Sequence, residues 1–138
     1  MIQTYRDLDV WKHAVELYVL VTRLIRTLPF AERLVFETQT RRAARGISAS
    51  IAEGFRRWDL GDYVRSLSYA SGSLAEVETD LELISRTNDT DESALRACIA
   101  LCGKTGRELA SLTSRLRRLR RQQVQGERAT TRDQRPAT

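Results

Sequence analysis

Two long stretches of this chain repeat buriable residues at strictly alternating intervals of three and four. The first is Leu60, Tyr63, Leu67, Ala70, Leu74, Val77, Leu81 and Ile84; the second is Leu95, Cys98, Cys102, Thr105, Leu109, Leu112, Leu116 and Leu119. Such spacing keeps side chains on one stripe of an α-helix and is the pattern of helices packed in a left-handed bundle. A half-buried strand needs a period of two, so neither stretch suits a sheet.

Two earlier segments are also helical in pattern. In the first, Leu8, Trp11, Val15, Tyr18, Thr22 and Ile25 form one stripe, and Ala14, Leu17, Val21, Leu24 and Leu28 form a second beside it. A face that wide implies contact with two neighbours at once. Pro29 suits a loop or a first turn. The second segment has Phe36, Thr40, Ala43 or Ala44, Ile47 and Ile51 inward, ending near Phe55. Gly46, Ser48 and Ser50 are weak helix formers, so packing must hold the helix there. Gly54 either costs about 1 kcal/mol inside the helix or marks its end. Asp59 suits the N-cap of the third helix, with Asp62 beside its dipole. Thr87 to Thr90 suits a turn.

The expected helices are about 7–28, 32–57, 59–86 and 90–122, in one domain over 1–123. Short loops make consecutive helices antiparallel, so the expected fold is all-α: an up-down-up-down four-helix bundle. The apolar pattern stops near Gln123, and the polar residues 124–138 are expected to be disordered.

The segment Thr40 to Trp58 combines small residues (Ala43, Ala44, Gly46, Ser48, Ala49, Ser50, Ala52, Gly54) with Arg41, Arg42, Arg45, Arg56 and Arg57. Small side chains let another backbone come close, while guanidinium groups grip phosphate or carboxylate in a planar fork. A packing seam, a polyanion contact, or both would explain it.

These residues carry a family likeness. The chain resembles the four-helix bundle proteins encoded in the intervening sequences of bacterial 23S ribosomal RNA genes. The shared elements are Tyr5-Arg-Asp-Leu-Asp-Val-Trp-Lys, Leu28-Pro29, Gln39-Thr-Arg-Arg-Ala-Ala with Ile51-Ala-Glu-Gly54, and Ala70-Ser-Gly-Ser-Leu-Ala-Glu76. The likeness covers roughly residues 5 to 120. Two positions depart from it: Gly46 stands where the family usually has Ser, and Ser50 where it has Asn. The resemblance implies a homopentamer. It also implies kinship with accessory proteins of diversity-generating retroelements, which associate with a reverse transcriptase and bind nucleic acid.

The formal net charge of +5 is unevenly spread. Residues 115–138 hold eight Arg and two acids, a net of +6; residues 1–114 hold fifteen basic and sixteen acidic residues, a net of −1. Within that body, residues 41–57 hold five Arg and one Glu, whereas residues 59–92 hold two Arg and nine acids. One reading pairs the basic second helix with the acidic third, within or between subunits, where unlike charges fix register. The other makes the arginines a polyanion contact, foremost Arg115, Arg117, Arg118, Arg120 and Arg121, followed by Arg41, Arg42, Arg45, Arg56 and Arg57. Arginines also complement the dipole at a helix C-terminus, but five in seven residues exceed what capping needs. The excess of Arg over Lys (21 to 2) has a blander source in codon usage of a GC-rich genome. Trp58, beside Arg56 and Arg57, is the candidate for stacking on a base. Trp11, Tyr18, Tyr63 and Tyr69 suit packing or interface anchoring better.

No phosphate-binding loop, dinucleotide fingerprint or zinc spacing is present. His13 is the only histidine, too isolated for a catalytic set and better suited to a surface or interface. Cys98 and Cys102 suit ordinary core thiols. Glu53 and Glu76 are candidates for burial inside the bundle, where each would need a partner. No run of eighteen apolar residues suggests a membrane span, and no apolar leader opens the chain, so a cytoplasmic location is expected. The expected function is non-catalytic and cofactor-free: an oligomeric bundle that binds nucleic acid, RNA foremost, with an assembly or scaffold protein as the alternative.

Overall fold

The computed structural model describes residues 1–134 and Pro136. A single 3₁₀ turn (Tyr5–Asp7) leads into α1 (Asp9–Arg26), followed by α2 (Phe30–Phe55), α3 (Leu60–Thr87) and α4 (Glu92–Asp133). The expected all-α bundle is what forms. Each helix packs on its neighbours in chain order, and α4 closes the ring onto α1.

Local chemistry sets the starts. Thr4 Oγ1 accepts from the Arg6 N–H at 3.1 Å, and Asp7 Oδ2 accepts from the N–H groups of Gln3 and Thr4, both at 2.9 Å. Those backbone donors hold the Asp7 carboxyl below its usual range. Asp59 accepts from the Asp62 N–H at 2.8 Å, and Asp91 from those of Ser93 and Ala94. Each thereby satisfies orphan donors of a first turn.

The repeats at intervals of three and four face inward as expected. From Tyr63 to Ile84 and from Leu95 to Leu116, every member is buried except at the ends, where Leu60 is half-buried and Leu119 exposed. Leu17, Leu24, Ile25, Ile47, Ile51, Leu67, Leu81, Ile84 and Leu109 are the largest side chains fully shielded from water. Cys98 and Cys102 lie in this core as free thiols, and burial pushes them up to about 11 and about 12.

Helices α2 and α3 approach each other closely at two glycines of α2. A Cβ on Gly54 would lie 2.7 Å from Tyr63 Cδ2 and 2.8 Å from Ser66 Cβ; one on Gly46 would lie 3.0 Å from Ser73 Oγ. Farther along, Thr40 Oγ1 donates to Asp80 Oδ2 at 2.7 Å, and Asn88 Nδ2 to Glu32 Oε2 at 3.4 Å. These contacts climb α3 as they descend α2, which is the antiparallel register. Gly54 lies inside the helix, one residue before its end, because only a residue without a side chain fits beneath Tyr63.

Two features depart from the sequence expectation. Glu53 and Glu76 are exposed rather than inside the bundle, since the inward positions beside them are taken by Ile51, Gly54, Leu74 and Val77. And α4 does not stop near Gln123: it continues to Asp133, with every residue from Arg117 to Gln134 exposed. Apolar periodicity reports packing, whereas Arg, Gln, Glu and Ala form helix without it. Of the segment expected to be disordered, Arg135, Ala137 and Thr138 lie outside the described residues.

Candidate nucleic-acid interface

The bundle brings two of the predicted basic groups to one end. Arg56, Arg57 and Trp58 form the connection between α2 and α3, and the antiparallel run of α4 returns Arg115 to Arg121 to the same level. The contact is direct at Gly61, where an added Cβ would lie 3.0 Å from Arg120 Cζ. Arg115 lines a groove with Asp7, Asp9 and Glu108, yet no carboxylate of the described residues comes within 4.0 Å of its guanidinium. Its charge opposes the effect of burial, which pushes the nearby Tyr63 phenol up.

Among the described residues none of Arg115, Arg117, Arg118, Arg120 and Arg121 forms an ion pair, and all five are exposed. The reason is in the sequence: no acid lies between Glu108 and Glu127. Like charges three and four apart on a helix repel one another, so this surface favours an anionic partner.

At the same end, Trp58 is fully exposed at 102%. Its ring therefore presents both faces to a base or other planar group. Arg56 lies over the Tyr5 ring at 5.5 Å, and Tyr5 in turn packs against Trp11 at 5.2 Å. Trp11, Tyr18 and Tyr63 are at least half-buried, but Tyr69 stands 65% exposed on the outer side of α3.

The remaining predicted arginines lie elsewhere. Arg41, Arg42 and Arg45 sit about halfway along α2, roughly 20 Å below its C-terminal end at 1.5 Å per residue. Arg41 donates to Tyr18 Oη at 2.9 Å and to Glu37 Oε1 at 3.2 Å. The bond holds the Tyr18 phenol below its usual range and raises the guanidinium. Arg41 is thus tied into the α1–α2 groove, while Arg42 and Arg45 are exposed and unpaired.

Pairing of the basic α2 with the acidic α3 inside one subunit does not occur. Among the described residues, ion pairs of Arg and Lys with carboxylates stay within single helices, while His13 Nδ1 and Glu108 Oε1 lie at hydrogen-bond distance, 2.7 Å apart, between α1 and α4. Glu76, Glu78 and Glu82 point outward, and Asp80, half-buried, takes Thr40 instead of an arginine. Polar residues at the seam are spaced to meet each other; the arginines fall on neighbouring faces.

No group of three or more His, Cys, Asp and Glu converges as for a metal ion among the described residues. No helix is long and apolar enough to cross a membrane.

Fold and surface together define an all-α antiparallel four-helix bundle protein with one densely basic end. The family model described as 23S rRNA-intervening sequence protein matches residues 6–111, and the chain belongs to that family. No curated protein matches the sequence. The arginines of the α4 end lie outside the matched residues.

Proposed function

We propose that this chain is a non-catalytic, homo-oligomeric helical bundle that binds nucleic acid, RNA foremost, through arginine–phosphate contacts. The observation that carries the reading is the exposed set Arg115, Arg117, Arg118, Arg120 and Arg121, none of it ion-paired among the described residues, set beside Arg56, Arg57 and Trp58. Guanidinium groups pair with phosphate bidentately, and each contact releases counterions. A ring of subunits, the homopentamer that the family resemblance implies, would multiply this surface by symmetry. The proposed setting is the cytoplasm, with a reverse transcriptase as a candidate protein partner.

The test is a salt titration of binding to RNA and DNA. Binding should weaken steeply between about 50 and 200 mM salt. Absence of binding at low salt, or affinity indifferent to salt, would overturn the reading.

A second reading makes the bundle an assembly protein. It is favoured by Phe30, Leu34 and Val35, all more than 60% exposed on α2, and by exposed charges of opposite sign that form no ion pair, Glu76 and Glu78 on α3 and Arg42 and Arg45 on α2. Such surfaces suit a head-to-tail contact between copies. Combined substitution of Arg117, Arg118, Arg120 and Arg121 by Gln separates the two. Loss of nucleic-acid binding with the oligomer intact favours the first, and loss of the oligomer favours the second.

A further inference from the structure

The outer part of α4 carries arginines that fall into line only because the helix continues. Arg117, Arg121, Arg128 and Arg132 are separated by four, seven and four residues. Those intervals return to one face of an α-helix, turn above turn. The face is exposed along its whole length, on the side of α4 turned away from the buried Leu109, Leu112 and Leu116. It spans about 22 Å at 1.5 Å per residue. Glu127 and Asp133, the acids of this region, form no ion pair with any of the four.

This helix lacks the usual means of support. None of the described residues covers it, and Gly126 in its middle costs about 1 kcal/mol relative to Ala. Arg117 with Arg121, and Arg128 with Arg132, are like-charged pairs one turn apart, each unfavourable by about 0.2–0.5 kcal/mol. Exposed helices of this length are marginal in water. Thr130 and Thr131 do no more than bond back to the carbonyls of Gly126 and Glu127, at 3.0 and 2.9 Å. An anionic backbone along the stripe would reverse the repulsion and supply the missing partner.

We propose that Arg117, Arg121, Arg128 and Arg132 form a phosphate-tracking edge, and that the outer part of α4 is consolidated as helix by binding a phosphodiester backbone. This rests on the nucleic-acid reading above. It adds Arg128 and Arg132 to the contact and makes binding and helix ordering one event.

The test uses the full chain with 20-nucleotide RNA and DNA probes, each single-stranded and double-stranded. Amide hydrogen exchange over residues 120–133 should slow about tenfold or more on adding whichever probe binds. The double variant R128Q/R132Q should lower the slope of log affinity against log salt by about 2 and lose that protection. Gln, Lys and Arg have similar helix propensity, so R128K/R132K should retain both effects while the Gln variant does not. If the wild-type chain binds but R128Q/R132Q changes neither slope nor protection, this inference falls and the broader reading stands. If no probe binds at about 50 mM salt, both fall.

Discussion

The α2–α3 seam and the outer part of α4 are both helical, and intrinsic propensity ranks them in the wrong order. The α2 side of the seam runs through Gly46, Ser48, Ser50 and Gly54, poor helix formers, yet Gly46 and Gly54 leave no free room for a side chain against α3. The outer α4 is rich in Arg and Gln, good helix formers, yet packs on none of the described residues. In the seam the helix is a consequence of tertiary contact: removing side chains lets backbones approach, and packing repays the lost propensity. In the outer α4 the helix rests on local preference alone, so its stability is open to solvent, salt and partners. A segment of the first kind supports the fold. A segment of the second kind is free to respond.

That contrast makes separable predictions. The largest effect belongs to the seam core. Leu67→Ala removes a fully buried side chain and should cost about 2–5 kcal/mol in chemical denaturation. A cost below 1 kcal/mol would mean that α3 is not anchored as described. Gly54→Ala is sharper because its sign is informative. Helix propensity alone predicts a gain of about 1 kcal/mol, whereas the 2.7 and 2.8 Å contacts with Tyr63 and Ser66 predict overpacking of about 1–3 kcal/mol. A net loss in denaturant midpoint supports the close approach, and a net gain would break it.

Smaller again is Thr40→Val, which strips Asp80 of its hydroxyl partner at near-constant volume. The expected loss is about 1 kcal/mol, since Asp80 is only half-buried and water recovers part of the bond. Arginine-to-glutamine changes on the outer α4 lie at the bottom of this scale, within about 0.5 kcal/mol of wild type. They should nonetheless give the largest changes in nucleic-acid affinity.

Most of the fold was legible because apolar spacing records which face is buried. α1, α2 and α3 lie within two residues of their expected bounds, and a 3₁₀ turn at Tyr5–Asp7 precedes them. What spacing cannot record is a helix that buries nothing, which is why α4 was expected to end near Gln123 and runs to Asp133. Charge was legible by segment but not by face. The sums over residues 41–57 and 59–92 suggest pairing, but a shift of one position turns a side chain by about 100°, and the carboxylates of α3 turn outward. Arg41 shows the same limit, since neither Tyr18 nor its place opposite α2 was visible as a partner for it. The grouping of Arg56, Arg57 and Trp58 with the α4 end was readable from antiparallel topology; the direct approach of Arg120 to Gly61 was not. Arg128 and Arg132 could have been found by asking which arginines share a face if the helix continues.

The two cysteines turn the core into a clock. Only a thiolate attacks an alkylating reagent or a disulfide, and at neutral pH a thiol displaced to about 11 or 12 is ionised on the order of once in ten thousand molecules or less. Cys98 and Cys102 lie one turn apart on α4 in the buried core, and Cys102 lines a cleft with Glu78 and Leu81 of α3. Their modification rate therefore reports how often those two helices part, read from the mass of the intact chain without any introduced label.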